Sequence, residues 1–109
     1  GELAELLTPW QPAVIQLVKA TCDGAGERLI GVCGEAAGDP LLALVLVGVG
    51  VRSFSMAAGK ITAVKAALSR HNLEQCRRIA DAALAACSPE EARTAALKLA
   101  DPSVEVLVS

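Results

Sequence analysis

Aromatic side chains are almost missing from this 109-residue chain, which has one tryptophan, one phenylalanine and no tyrosine. A core without large rings must close with aliphatic and small side chains, and 53% of the residues are hydrophobic, mostly Ala, Val and Leu. The length allows one domain at most. With a mean hydropathy of +0.48, the chain is too apolar for a lone small domain. It is expected to bury surface against further protein, as part of a larger fold or an obligate oligomer. Clusters of one charge are missing as well. Ten basic residues are scattered among 12 acidic ones for a net charge of −2, so there is no nucleic-acid footprint. Long apolar runs are absent: residues 41–47, extended through glycines to Val51, are too short to span a bilayer. No membrane insertion is expected, and no signal or transit segment is recognisable at the start. One histidine, and cysteines at 22, 33, 76 and 87 with no CxxC pair, exclude a zinc signature. Four cysteines allow two disulfides, but the Ala-rich helical surroundings indicate reduced thiols and a cytoplasmic protein.

What is present is a regular alternation. After an acidic lead-in with a helical turn at 2–7, Pro12 stands where a first helical turn tolerates it. Val14, Ile15, Val18 and Cys22 then share one helical face, and the glycines of DGAGER (23–28) end that helix. LIGVC (29–33) is a short, glycine-bounded apolar run that suits a buried parallel strand. Asp39-Pro40 reads as an N-cap followed by proline at the first helical position, opening PLLALVLV and closing at Gly48. SFSM (53–56) is a second strand. Ile61, Val64 and Leu68 mark another helix, flanked by Lys60, Lys65 and Arg70. Asn72 with Gln75 forms a capping box for a helix over 73–86. Within it Cys76, Ala80, Ala83 and Cys87 make a face of small side chains that lets another helix approach closely. Ser88-Pro89-Glu90-Glu91 reads as a stronger capping box still, opening a last helix to about Ala100, and SVEVLVS (103–109) reads as a frayed or extended tail. Helices alternating with buried strands indicate parallel α/β structure. Two strands cannot bury their own faces, so this is the end of a larger α/β fold.

The stretch GVCGEAAGDP (31–40) raises the chemical question, because a cysteine ends a strand among small residues. Composition alone favours an inert packing thiol at Cys33. Together, however, TPWQPAVIQLVKATCDGAG, GVCGEAAGDP, LVGVGVRSFSM and ITAVKAAL resemble the C-terminal end of the phosphoenolpyruvate-protein phosphotransferases, Enzyme I of the bacterial sugar phosphotransferase system. The resemblance covers roughly 2–99, and the tail NLEQCRRIADAALAACSPEEA favours Enzyme I over pyruvate phosphate dikinase and phosphoenolpyruvate synthase, which share the cysteine-glycine motif. It implies a C-terminal fragment of a (βα)8 barrel. Residues 1–71 would be the last βα units, with 29–33 and 53–56 as the seventh and eighth strands, and 72–109 a helical extension. Cys33 would lie at the barrel mouth, where such barrels carry their chemistry.

The resemblance further implies that Cys33 is the general acid that protonates the methylene carbon of enolpyruvate. Gly34 and Glu35 are candidate neighbours of the substrate, although Glu35 reads equally as a hydrogen-bonding residue within the loop or as a cap for the Asp39 helix. A thiol suits this role, since its ordinary pKa of about 8.5 leaves it mostly protonated near neutrality. The implied partners are phosphoenolpyruvate, Mg2+ in the full-length protein, a phosphocarrier protein reached through an N-terminal region, and a second copy in a homodimer. No metal ligand is expected in this segment. The phosphoryl-accepting histidine is not His71, which reads as a solvated residue at a helix end. Nor can Arg28 and Arg52, which precede the strands, hold the phosphate. GVGVR (48–52) is no nucleotide fingerprint, because it follows a helix and precedes a strand. Cys22, Cys76 and Cys87 read as packing residues, and Trp10 as an anchor for the lead-in. Alone, the chain is expected to be inactive and to self-associate. The alternatives are a non-catalytic, self-associating structural module, or the equivalent segment of pyruvate phosphate dikinase or phosphoenolpyruvate synthase.

Overall fold

Ten residues with almost no polar atoms in their side chains form the central helix, and the rest of the chain is arranged to cover them. In the computed structural model, which describes residues 9–33 and 35–108, the elements follow in this order: α1 (Pro12–Gly24), β1 (Gly31–Cys33), a 3-10 turn (Glu35–Gly38), α2 (Pro40–Val49), β2 (Ser53–Ser55), α3 (Ala58–Ser69), α4 (Leu73–Leu84), α5 (Pro89–Leu99) and α6 (Ser103–Val108). A helix apolar on all sides belongs in an interior. Accordingly, Leu41, Leu42, Ala43, Leu44 and Val45 are wholly buried, and α2 touches every other described helix. Each large side chain so buried contributes about 1.5–3 kcal/mol.

The expected start of α2 holds. Asp39 Oδ1 accepts from the amides of Leu41 (3.0 Å) and Leu42 (3.2 Å), with Pro40 in the first turn. Its end lies later than expected, at Val49 rather than Gly48. Gly50, at φ 119°, supplies the left-handed turn, and the amide of Val51 donates to Leu46 O at 2.9 Å. Gly48 stays helical because it is a crossing point. A Cβ there would lie 2.7 Å from Ala80 Cβ and overlap the Cys76 carbonyl of α4. Cys76, Ala80 and Ala83 form the small face that was expected, whereas Cys87 lies beyond the helix and is exposed.

β1 and β2 pair in parallel, Gly31 with Ser53, Val32 with Phe54 and Cys33 with Ser55. Both strands are shorter than expected, and they are not buried. Only Val32 and Phe54 turn towards the helices, while the alternate residues Gly31, Cys33, Ser53 and Ser55 are exposed. Side chains alternate faces with period two, and in the described residues helices cover a single face of this pair.

Asn72 and Gln75 form their reciprocal capping box, with both bonds at 2.8 Å. α4 stops at Leu84 rather than 86, because Pro89 drives Ser88 to an extended φ −145°, ψ 162°. Ser88 Oγ accepts from Glu91 N at 3.2 Å, but Glu91 Oε2 reaches back to Cys87 N rather than Ser88 N. The final segment is helical, not a tail. Asp101 Oδ1 accepts from Ser103 N (2.9 Å) and Ser103 Oγ (2.7 Å), and Val104 is fully buried. His71 is also not solvated as expected. Its Nε2 accepts from Asp101 N at 3.0 Å, so the neutral ring carries its proton on Nδ1, which donates to Ala67 O at 2.7 Å. The ring thereby ties the end of α3 to the start of α6. One core cluster joins residues from 10 to 104, so α4, α5 and α6 share the interior with the strand-bearing half. No described helix is long and apolar enough to cross a membrane. The expected turn at 2–7 lies outside the described residues.

Two outcomes follow from this packing. Gly48→Ala should destabilise the fold by about 1–3 kcal/mol, even after the gain of about 1 kcal/mol from replacing helical glycine, because a backbone carbonyl cannot step aside. Urea unfolding should show a lower midpoint at constant slope. Gly24→Ala, with nothing within 4 Å of the added carbon, should show no such loss. The second outcome concerns Asp101, whose carboxyl is held below its ordinary 3.8 by hydrogen bonds from the Ser103 hydroxyl and amide. A carboxylate depressed in the fold adds stability above its unfolded value, and that stability fades as pH falls through the folded one. Amide exchange over 103–108 should therefore quicken only below about pH 4. Asp101→Asn should remove that acid step.

Candidate functional site

Cys33 is the last residue of β1, and its side chain is exposed. Two features of the local sequence put it there. The parallel pairing to Ser55 fixes its height along the strand, and the period-two alternation turns it away from Val32 and the helices. The next described element is the 3-10 segment Glu35–Gly38. Of the two residues expected beside a substrate, Gly34 and the side chain of Glu35 lie outside the described residues. The backbone of Glu35 begins the turn.

The turn is firmly seated. Ala37 and Gly38 are buried, and the segment packs against both strands, α2 and α3. Gly38 faces the Lys60 stem so closely that an added Cβ would sit 3.1 Å from Lys60 Cγ. Asp39 closes the turn, its amide donating to Ala36 O at 3.4 Å. Beyond capping α2 through Oδ1, its second oxygen, Oδ2, accepts from Trp10 Nε1 at 3.1 Å. Trp10 is only 6% exposed, and its indole meets the helix cap; most of the lead-in it was expected to anchor lies outside the described residues.

Next to this cap lies an open cleft of about 470 Å3, with Trp10, Gly38, Asp39, Lys60, Arg93 and Val108 in its wall. Cys33 is not among its lining residues. The cleft therefore flanks the turn rather than enclosing the thiol. Lys60 and Arg93 were not singled out as site residues. No local motif marks them, since α3, α5 and α6 bring residues 60, 93 and 108 to one place. At the other end of α2, Arg52 Nη1 donates to the carbonyls of Val47 (3.0 Å) and Val51 (2.9 Å). It satisfies a helix end there, and Arg28 is exposed before β1. Among the described residues no group of three or more His, Cys, Asp or Glu is placed to hold a metal ion.

The four thiols are free and differ in environment. Burial pushes the Cys76 and Cys22 thiols up, which suppresses the reactive thiolate. Cys33 and Cys87 are exposed. Alkylation of the native chain with iodoacetamide, followed by peptide mass analysis, should label Cys33 and Cys87 first, then Cys22, with Cys76 modified only on unfolding.

The geometry agrees with what comparison of the sequence finds. Residues 1–73 match the family described as PEP-utilising enzyme, PEP-binding domain. The chain is 52% identical over 98 residues to a phosphoenolpyruvate-protein phosphotransferase of Streptomyces coelicolor, covering 88% of this chain and 18% of that protein. A protein of the same description from Cupriavidus necator is 38% identical over 102 residues, 92% of this chain and 17% of its own length. A multiphosphoryl transfer protein of Xanthomonas campestris is 40% identical over 94 residues, 84% of this chain and 11% of its own. The chain thus spans less than a fifth of the length of these relatives. The match to the family takes in β1, the turn, α2, β2 and α3, the elements that position Cys33, and the chain belongs to the PEP-binding domain family of PEP-utilising enzymes.

Proposed function

We propose that this chain is the C-terminal segment of a phosphoenolpyruvate-protein phosphotransferase, the closing part of a (βα)8 barrel, with Cys33 as proton donor to the enolate. The observation that carries the reading is the facing of the two strands. Val32 and Phe54 point to the helices, while Gly31, Cys33, Ser53 and Ser55 point to the uncovered side. In a barrel that side is the interior, and the C-terminal strand ends, where Cys33 and Ser55 stand, are the mouth that carries chemistry. The outer edges of the pair would join the strands of the longer protein, which is how barrels dispose of open edges.

In the proposed reaction the phosphoryl group of phosphoenolpyruvate leaves its enol oxygen for a histidine nitrogen elsewhere in the full-length protein. The electron pair of the broken O–P bond remains on the enolate. The Cys33 thiol then gives its proton to the methylene carbon, forming a C–H bond and pyruvate, and the thiolate regains a proton from water. Small residues after Cys33 leave room for the substrate, with Gly34 and Glu35 as its neighbours. Magnesium would be held by residues outside this chain, and the phosphate would pass to a phosphocarrier protein through the N-terminal region. The working protein would be a cytoplasmic homodimer, with 1–71 as barrel and 72–109 as helical extension. The chain alone would be inactive, having neither the accepting histidine nor the metal ligands. The phosphotransferase names of the relatives favour this over a dikinase or synthase segment.

Cys33→Ser in the full-length enzyme tests the reading. The variant should still transfer phosphate, but protonate carbon about a hundredfold to ten-thousandfold more slowly and from both faces, measured as the methyl-group chirality of pyruvate formed in deuterated water from phosphoenolpyruvate stereospecifically tritiated on its methylene carbon. Cys22→Ser should leave both steps near normal. Full rate with one-sided protonation in the Cys33 variant would return the thiol to a packing role.

A further inference from the structure

We infer that Trp10 and Asp39 are positioning residues for the Cys33 thiol, acting through the turn between Cys33 and α2; this rests on the reading of Cys33 as proton donor. Five residues lie between Cys33 and Asp39, and four of them form the 3-10 segment Glu35–Gly38. A short segment after a strand end would ordinarily be free to shift. Here it is pinned at both ends. On one side, β1 is paired through Cys33 to Ser55. On the other, Asp39 holds three groups at once: Oδ1 accepts from Leu41 N and Leu42 N, and Oδ2 accepts from Trp10 Nε1 at 3.1 Å.

An N-cap needs only one carboxylate oxygen. A cap alone would fix Asp39 to α2 but leave the carboxylate plane and the turn free to pivot about the helix end. The second oxygen, engaged by an indole that is only 6% exposed, removes that pivot. Trp10 lies 29 positions away in the sequence and sits at the head of α1, so the bond links two successive helix starts on one rim. The Lys60 stem against Gly38 closes the third side. The result is a turn referenced to α1, α2 and α3 together, with the thiol at its other end. Transfer of a proton to one face of a flat enolate is sensitive to position, and a displacement of about 1 Å can cost on the order of a hundredfold in rate.

Two substitutions separate this role from capping and from packing. Trp10→Phe removes the Nε1 donor and keeps an aromatic ring in the core. Asp39→Asn keeps a competent cap oxygen for Leu41 and Leu42 but sets an amide donor against the indole N–H. In the full-length enzyme both should lower the rate of carbon protonation about tenfold or more and erode its one-sidedness. Phosphoryl transfer from phosphoenolpyruvate to the protein should stay within about twofold of the parent, and in a Cys33→Ser background neither substitution should cost anything further. The readouts are pre-steady-state phosphorylation and the methyl-group chirality of pyruvate formed in deuterated water from phosphoenolpyruvate stereospecifically tritiated on its methylene carbon. If both variants protonate at full rate and on one face while Cys33→Ser does not, the positioning role is wrong and the donor role stands. Equal slowing of both half-reactions would reduce Trp10 and Asp39 to general stability. If Cys33→Ser itself is without effect, the donor reading fails and this inference falls with it.

Discussion

A ten-residue helix with no polar face cannot be left in contact with water, and the burial of α2 is the constraint on which the other elements depend. Every described helix lies against it, and the side chains from Leu41 to Val45 are sealed completely. That demand explains the small residues elsewhere. Gly48 on α2 and Cys76, Ala80 and Ala83 on α4 bring two helix backbones close enough to pack without large side chains, in a chain with few aromatics to fill a wider gap. Alanine on α5 does the same at Ala92 and Ala96.

The same helix sets the geometry of the candidate site. α2 is buried from its first turn, while its cap residue Asp39 is half-buried beside the open cleft. Asp39 satisfies the orphan amides there and, through its second oxygen, holds Trp10. The segment leading into that cap also leads out of β1. The turn that follows Cys33 is therefore seated by the packing of a helix of which it is no part. Among the described residues no polar side chain is fully buried, so the polar contacts that shape the site all sit at its edge.

Local chemistry was readable wherever a motif is completed within a few residues. The Asn72–Gln75 box and the Asp39-Pro40 start are such cases, since donor, acceptor and proline lie within one turn. Ser88 shows the limit. Its capping signature is genuine, but the carboxylate of Glu91 chose the amide of Cys87, a difference of one residue that no spacing rule resolves. α6 was missed because its six residues are too few to declare a period, and its cap is shared with His71, thirty positions away. For the same reason His71 looked solvated: both its partners lie at helix ends, and one of them arrives only with the fold.

The sequence by itself determined the alternation of helix and strand, the parallel sense of a βα pattern, the apolar central helix and the placing of Cys33 at a strand end. Each rests on nearest-neighbour chemistry and on side-chain period, which are properties of the chain. Tertiary structure alone decided which strand face is covered, that Gly48 is a crossing rather than a stop, and that Trp10 meets Asp39. It also decided that Lys60 and Arg93 share a cleft with that pair. These depend on where distant segments come to rest, and that is set by how α2 is covered, not by any residue's immediate neighbours.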